Sequence, residues 1–160
     1  MVMMVEPINL ALQALKAKKG TPKDLIVVTS AKGALFTQQI AQQWSTQLER
    51  IIFICGHYEG IDERVAQYLA DQEIRIGNFV LTGGELAAVV MTDAVARLLP
   101  GVLGDDESSK DESFSFEYTL EYPQYTRPEN YSGWEVPKVL LQGNHKLIEG
   151  WKREKKKRAV

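Results

Sequence analysis

One cysteine, Cys55, and two histidines, His57 and His145, are the only thiol and imidazole groups in this chain of 160 residues. A single thiol excludes an internal disulfide and favours a reducing, cytoplasmic setting. The histidines lie far apart, without a Cys or His at ligand spacing, so no zinc site is expected. Asp105-Asp106-Glu107 lacks the ligand alternation and turn glycine of a calcium loop. No run approaches the roughly 20 apolar residues of a membrane span. The start, Met1-Val2-Met3-Met4-Val5-Glu6, has neither the basic flank nor the apolar core of a signal peptide. The dinucleotide fingerprint G-x-G-x-x-G and the phosphate-binding P-loop are both missing. Ser108 and Ser113 have no G-x-S-x-G setting, which argues against a serine nucleophile.

What remains is ordinary globular material. Hydrophobic residues make up 44% and charged residues 25%, enough to bury a core in one domain, or in one domain with a small appendage. The net charge of −2 does not mark a nucleic-acid binder, but its distribution is uneven. Residues 104–121 are acidic, and Trp151-Lys152-Arg153-Glu154-Lys155-Lys156-Lys157-Arg158 is basic. Such a tail fits a phosphate backbone, and fits equally a solvated helix end whose cations complement the dipole.

Pro7 suits a first helical turn, and Leu10, Ala11, Leu12 and Leu15 follow at helical spacing, which predicts a helix stopping near Gly20. Residues 24–29 and 51–55 read as buried strands joined by a helix over 35–49, a βαβ unit with a parallel sheet. A short helix over 62–69 follows, then a strand from Ile74 continuing through Phe79-Val80-Leu81. Thr82-Gly83-Gly84-Glu85 opens an apolar helix that ends before Pro100 and reads as buried on more than one face. Periodicity then fades until about residue 131. The end reads as two short helices separated by Gly143, with Asn144 as N-cap. The implied organisation is an α/β domain over 1–104, an acidic mobile linker over 105–121 and a small helical segment over 122–160.

The glycines stand out by position. Gly56 and Gly60 follow one strand, Gly77 interrupts another, and Gly83-Gly84 follow its end. Ligands of open parallel sheets bind outside the carboxyl ends of strands, where glycine permits close approach. Tight turns alone also account for them. Cys55 reads as an inert core thiol. Asp111-Glu112 offers a candidate general base, or plain surface acids. Arg97, near the end of the apolar helix, suits an anion partner or a structural pair. Tyr122-Pro123-Gln124-Tyr125-Thr126-Arg127-Pro128 offers aromatic and cationic groups that stack on bases and grip phosphates, or a rigid linker.

Taken in order, these pieces resemble one family. Cys55-Gly56-His57-Tyr58-Glu59-Gly60-Ile61-Asp62-Glu63-Arg64 is similar to its first signature, and Ile76-Gly77-Asn78-Phe79-Val80-Leu81-Thr82-Gly83-Gly84-Glu85-Leu86 to its second. Arg97-Leu98-Leu99-Pro100-Gly101-Val102-Leu103-Gly104, Glu112-Ser113-Phe114-Ser115, Tyr125-Thr126-Arg127-Pro128 and Gly143-Asn144-His145 follow in the family's order. The family is the bacterial tRNA (guanine-N1)-methyltransferases, TrmD, of the SPOUT superfamily.

The resemblance implies a parallel sheet with helices on both faces, a trefoil knot, and a homodimer with active sites at the subunit interface. It implies S-adenosylmethionine as cofactor, lined by Gly56 and the run Ile76, Gly77, Asn78, Phe79, Val80 and Leu81, with Glu59, Gly83 and Gly84 close by. The implied substrate is the guanine just 3′ of the tRNA anticodon. Glu112 stands at the position of the base, with Asp111 as fallback, and Arg97 at that of the cationic partner. Ser108, Tyr125, Arg127 and the basic tail would face the tRNA. Three departures stand out. The base position holds Glu112 where well-known members have aspartate, and Ala31 replaces a usual proline. Family chains also begin with a strand, a helix and a tRNA-contacting loop ahead of the Met1 position. A sheet short of that strand is therefore expected, and with it an alternative to the enzyme: a catalytically silent, dimeric RNA- or cofactor-binding remnant.

Overall fold

The computed structural model describes residues 1–103, 113–114 and 119–158. The chain divides into two compact units, Met1–Gly104 and Asp105–Val160.

The first unit is built on β1 (Asp24–Leu35), the central strand of a three-stranded parallel sheet ordered β2-β1-β3, with β2 at Arg50–Cys55 and β3 at Gln72–Arg75. Successive side chains of a strand point to opposite faces. In β1 both faces are covered, so Leu25, Ile26, Val27 and Val28 are all buried. Leu25 and Val27 pack with Ala41 and Trp44 of α2 (Gln38–Gln47) and Met91 and Val95 of α3 (Glu85–Ala96). On the other face, Ile26 and Val28 pack with Leu12 of α1 (Val5–Ala14) and with Val65. Helices therefore cover both faces, as the sequence predicts for this α/β class. Thr37 caps α2, its side chain accepting from the Ile40 amide at 3.4 Å.

Four local expectations are corrected. α1 ends at Ala14 and not near Gly20, because Lys16 turns to φ 52°. The Ala17 amide then reaches the Leu12 carbonyl and the Lys16 amide the Gln13 carbonyl, both at 2.9 Å, a Schellman closure with lysine where glycine is usual. The helix expected over 62–69 is a π-helical turn, Val65–Leu69, closed by the Ala70 amide on the Val65 carbonyl at 2.9 Å. The strand expected to run through Leu81 stops at Arg75, because its partner β1 ends at the matching position, Leu35. Lastly, α3 is buried on one face only. Ala87, Ala88, Met91 and Val95 are inside, while Leu86 and Val89 are 65% and 62% exposed.

β1 is longer than the expected 24–29 because its register against β3 shifts between Thr29 and Ala34 and then resumes. Within that interruption Gly33 lies against the backbone of Glu73 and Ile74, where any Cβ would overlap it.

The second unit is slighter. α4 (Lys138–Leu141) and α5 (His145–Lys155) flank Gly143, and Asn144 caps α5 by accepting from the Leu147 amide at 3.3 Å, as read from the sequence. β4 (Thr119–Leu120) pairs with β7 (Lys157–Arg158), and β5 (Asn130–Tyr131) with β6 (Trp134–Glu135), both antiparallel. Trp151 packs its ring against Tyr122 and Tyr125, at centroid distances of 6.4 and 6.2 Å.

Candidate cofactor site

Three chain segments meet at the carboxyl ends of the parallel strands: residues 29–34 in β1, 56–63 after β2, and 76–84 between β3 and α3. Where parallel strands end together, their loops make the crevice that open α/β sheets use for ligands. Here they enclose a cavity of about 410 Å³, within the range of small-molecule sites.

Thr29, the one buried polar side chain among the described residues, ties two of the strand ends together. Its hydroxyl donates to the Ile54 carbonyl at 3.3 Å and accepts from the Gly56 amide at 3.4 Å. The third segment is drawn in by the Gly84 amide, which donates to the Gly56 carbonyl at 2.8 Å, and by an antiparallel bridge between His57 and Gly83. Gly84 sits so close to Thr29 Oγ1 and to the backbone of Cys55 and Gly56 that a side chain has no room. That closeness brings the N-terminus of α3 to the end of β2. Residues 59–62 are braced by the first residues of the chain: the Met3 amide donates to the Gly60 carbonyl at 2.9 Å, and the Asp62 amide to the Met3 carbonyl at 3.0 Å.

Of the ten residues expected at a cofactor, nine line this cavity: Gly56 and Glu59 from one loop, Ile76, Gly77, Phe79, Val80 and Leu81 from another, and Gly83 and Gly84 at the helix start. Asn78 is not on the lining. Its side-chain oxygen accepts from Arg75 Nε at 3.2 Å, while the same guanidinium donates to the Gly33 carbonyl, so Asn78 holds the loop in place. The apolar run Phe79-Val80-Leu81 stays exposed, with Val80 at 86%, a surface that invites a flat apolar group.

Several site residues carry no mark in a single sequence. Lys32, within β1, and Glu63, in the segment after β2, form an ion pair of 2.6 Å at the cavity's edge, and that bond holds the Lys32 ammonium above its ordinary pKa. Asp62 receives a two-point hydrogen bond from Arg64, Nε at 2.9 Å and Nη2 at 2.7 Å, which holds its carboxyl down at about 2. His57 lines the cavity with its Nδ1 buried and without a hydrogen-bond partner; the Glu85 carboxylate is 3.6 Å away, just beyond bonding reach. An orphaned buried nitrogen costs about 1–3 kcal/mol, and a ligand atom would relieve it. Cys55, at the end of β2, has its thiol pKa raised by burial and by the nearby Glu85 charge, which keeps it in the unreactive form.

The other expected residues lie elsewhere. Arg97 caps the far end of α3. Twelve residues of helix separate it from Gly84, about 18 Å at 1.5 Å per residue. Tyr125 and Arg127 are exposed in the second unit. Ser108, Asp111 and Glu112 lie outside the described residues. Among the described residues no cluster of His, Cys, Asp and Glu is arranged to hold a metal, and no helix is long and apolar enough to cross a membrane.

The family model for the tRNA (guanine-1)-methyltransferase TrmD matches residues 1–160. The chain is 55% identical over 156 residues to the tRNA (guanine-N(1)-)-methyltransferase of Carboxydothermus hydrogenoformans, covering 96% of this chain and 58% of that protein. It is 52% identical over 154 residues to that of a Geobacter species, covering 96% and 60%. Against that of Staphylococcus carnosus it is 49% identical over 156 residues, covering 98% and 62%. The chain thus spans about three-fifths of the length of the curated relatives it matches. With every residue inside the family match and about half identical to relatives of one name, this chain belongs to the TrmD family of tRNA (guanine-1)-methyltransferases.

Proposed function

We propose that the chain carries the cofactor site and part of the tRNA-binding surface of an enzyme that methylates N1 of the guanine 3′ to the tRNA anticodon, with S-adenosylmethionine as donor. The observation that carries this reading is the cavity at the strand ends, lined by nine of the ten residues that the family's motifs mark for the cofactor. The residues present fit that group. The apolar loop Phe79-Val80-Leu81 suits an adenine face, the glycines line the cavity with backbone in place of side chains, and nothing resembling a phosphate cradle is required. On the lining Glu59, Asp62, Glu63 and Glu73 outnumber Lys32 and Arg75, a balance that favours a cationic ligand.

When bound, S-adenosylmethionine supplies a methyl group on a sulfonium, already activated for transfer. The chain's own work concerns the guanine. Its N1 is a poor nucleophile while protonated, so a carboxylate, Glu112 or Asp111 beside it, accepts that proton. Arg97 steadies the negative charge that develops on O6. Ser108, Tyr125, Arg127 and the basic tail engage the tRNA.

A homodimer is part of the same proposal, and the exposed face of α3 supports it. On α3, Leu86, Val90, Asp93 and Arg97 recur at helical spacing on one face, and Leu86, Val89 and Val90 of that face are exposed. Burying that stripe against a second copy would carry Arg97 towards the partner's cavity, since its own lies a helix length away. The family's trefoil knot is part of the same proposal. Arg97→Ala and Glu112→Ala are each expected to abolish methyl transfer to tRNA while leaving cofactor affinity nearly unchanged. Normal turnover in either variant would overturn the assignment of roles.

A further inference from the structure

A surface feature of the second unit has been given no role above. β5 and β6 make a tight hairpin in which Asn130 faces Glu135 and Tyr131 faces Trp134. Ser132 and Gly133 form the turn with φ 55° and 88°, the conformation whose twist matches that of the flanking strands. Asn130 Oδ1 accepts from the Gly133 amide at 3.0 Å, and the Val136 amide donates to the Glu129 carbonyl at 2.8 Å. The turn is thereby fixed at both ends. Opposed across the ladder, the two rings stand 5.9 Å apart with planes tilted by 48°. They nevertheless remain 62% and 74% exposed, whereas Trp44 is buried and Trp151 half-buried among tyrosines.

Two preorganised rings with open faces suit a flat π partner, which stacks at little entropic cost. They do not suit a protein docking face. Two aromatic side chains offer about 150–250 Å² each, short of the roughly 800 Å² per partner of a stable interface. Charge narrows the choice further. Residues 119–158 hold nine Lys and Arg against five Glu, an excess concentrated in α5 and just after it. Near the hairpin, Arg127 and Lys138 are offset by Glu129 and Glu135. The cations in and just after α5 favour a polyanion, while the hairpin offers ring faces and no phosphate clamp.

We infer that Tyr131 and Trp134 form a stacking platform for an unpaired nucleobase of the RNA substrate. The inference rests on the tRNA-methyltransferase reading and adds a positioning element to it. The platform grips a base, and the lysines and arginines of α5 grip the backbone.

The test titrates an unmodified tRNA transcript, with guanine 3′ of its anticodon, into the full chain and into Trp134→Ala, Trp134→Phe and Tyr131→Ala/Trp134→Ala variants. Stacking on one base is worth about 1–3 kcal/mol on alanine substitution, or roughly 5- to 150-fold in affinity. Trp134→Ala is expected to weaken binding about tenfold and the double variant further, while Trp134→Phe retains most of the affinity. The salt dependence of binding should be unchanged in all three, because no phosphate contact is lost. S-adenosylmethionine affinity should also be unchanged. A parent that binds tRNA and a double variant that binds equally well would overturn the platform alone and leave the enzyme reading intact. Loss of self-association in place of RNA affinity would assign the rings to a protein contact and overturn it too. A parent that binds no tRNA would remove the RNA reading and the platform with it.

Discussion

The two units of this chain are held together differently. Every buried hydrophobic side chain among the described residues belongs to Met1–Gly104, where β1 is covered on both faces and Met91, Val27, Ile26 and Val65 are almost wholly enclosed. In Asp105–Val160 neither α4 nor α5 buries a single side chain, and packing centres on Trp151 between two tyrosines, with the Lys152 ammonium 4.9 Å from the centre of the Tyr122 ring. The first unit can fix a cavity because its loops are anchored in a dense core. The second presents cations and rings on a scaffold whose own burial is small, which suits a surface that gains its stability on docking.

Substitutions in each unit test that contrast. Met91→Ala would open a hole between α3 and the sheet and should cost about 2–5 kcal/mol in urea unfolding of the first unit. Gly84→Ala pushes a Cβ into Thr29 and the end of β2. It should cost about 1–3 kcal/mol and abolish S-adenosylmethionine binding, because the start of α3 can no longer close on Gly56. Gly150→Ala, by comparison, meets no atom within 4 Å inside α5. It should stabilise the second unit by about 0.5–1 kcal/mol, seen as increased helicity and protection of α5, since glycine is a poor helix former. The smallest effect concerns acid. The Arg64 hydrogen bonds hold Asp62 at about 2 against an ordinary 3.8. The contribution of this exposed pair is therefore complete above pH 3.8 and lost as pH falls through about 2. A slight acid-induced loosening of residues 59–64, followed by NMR, should disappear in Asp62→Asn.

Much of this was legible from residue order alone. The apolar runs of β1 and β2 announce strands buried on both sides, and Asn144 announces the start of α5. The glycines after each strand mark the cavity, because close approach of three loops needs positions without side chains. The failures share a cause: each depends on a partner that sequence spacing does not display. Residues 76–81 have the composition of a strand but pair with no strand among the described residues, and most of them line the cavity. The outward stripe of α3 reads as buried because it is apolar, yet nothing among the described residues covers Leu86 and Val89. Lys32, Asp62 and His57 gain their roles only when loops distant in sequence are folded together. The hydrogen bond from Arg75 to the Asn78 side chain is likewise invisible in residue order.

Calorimetric titration of the chain with S-adenosylmethionine asks whether the cavity at the strand ends is a cofactor site. Saturable binding near one cofactor per chain, lost in Gly84→Ala and kept in Arg97→Ala, is the expected result. A folded chain that releases no heat, or binding that Gly84→Ala leaves untouched, would contradict it.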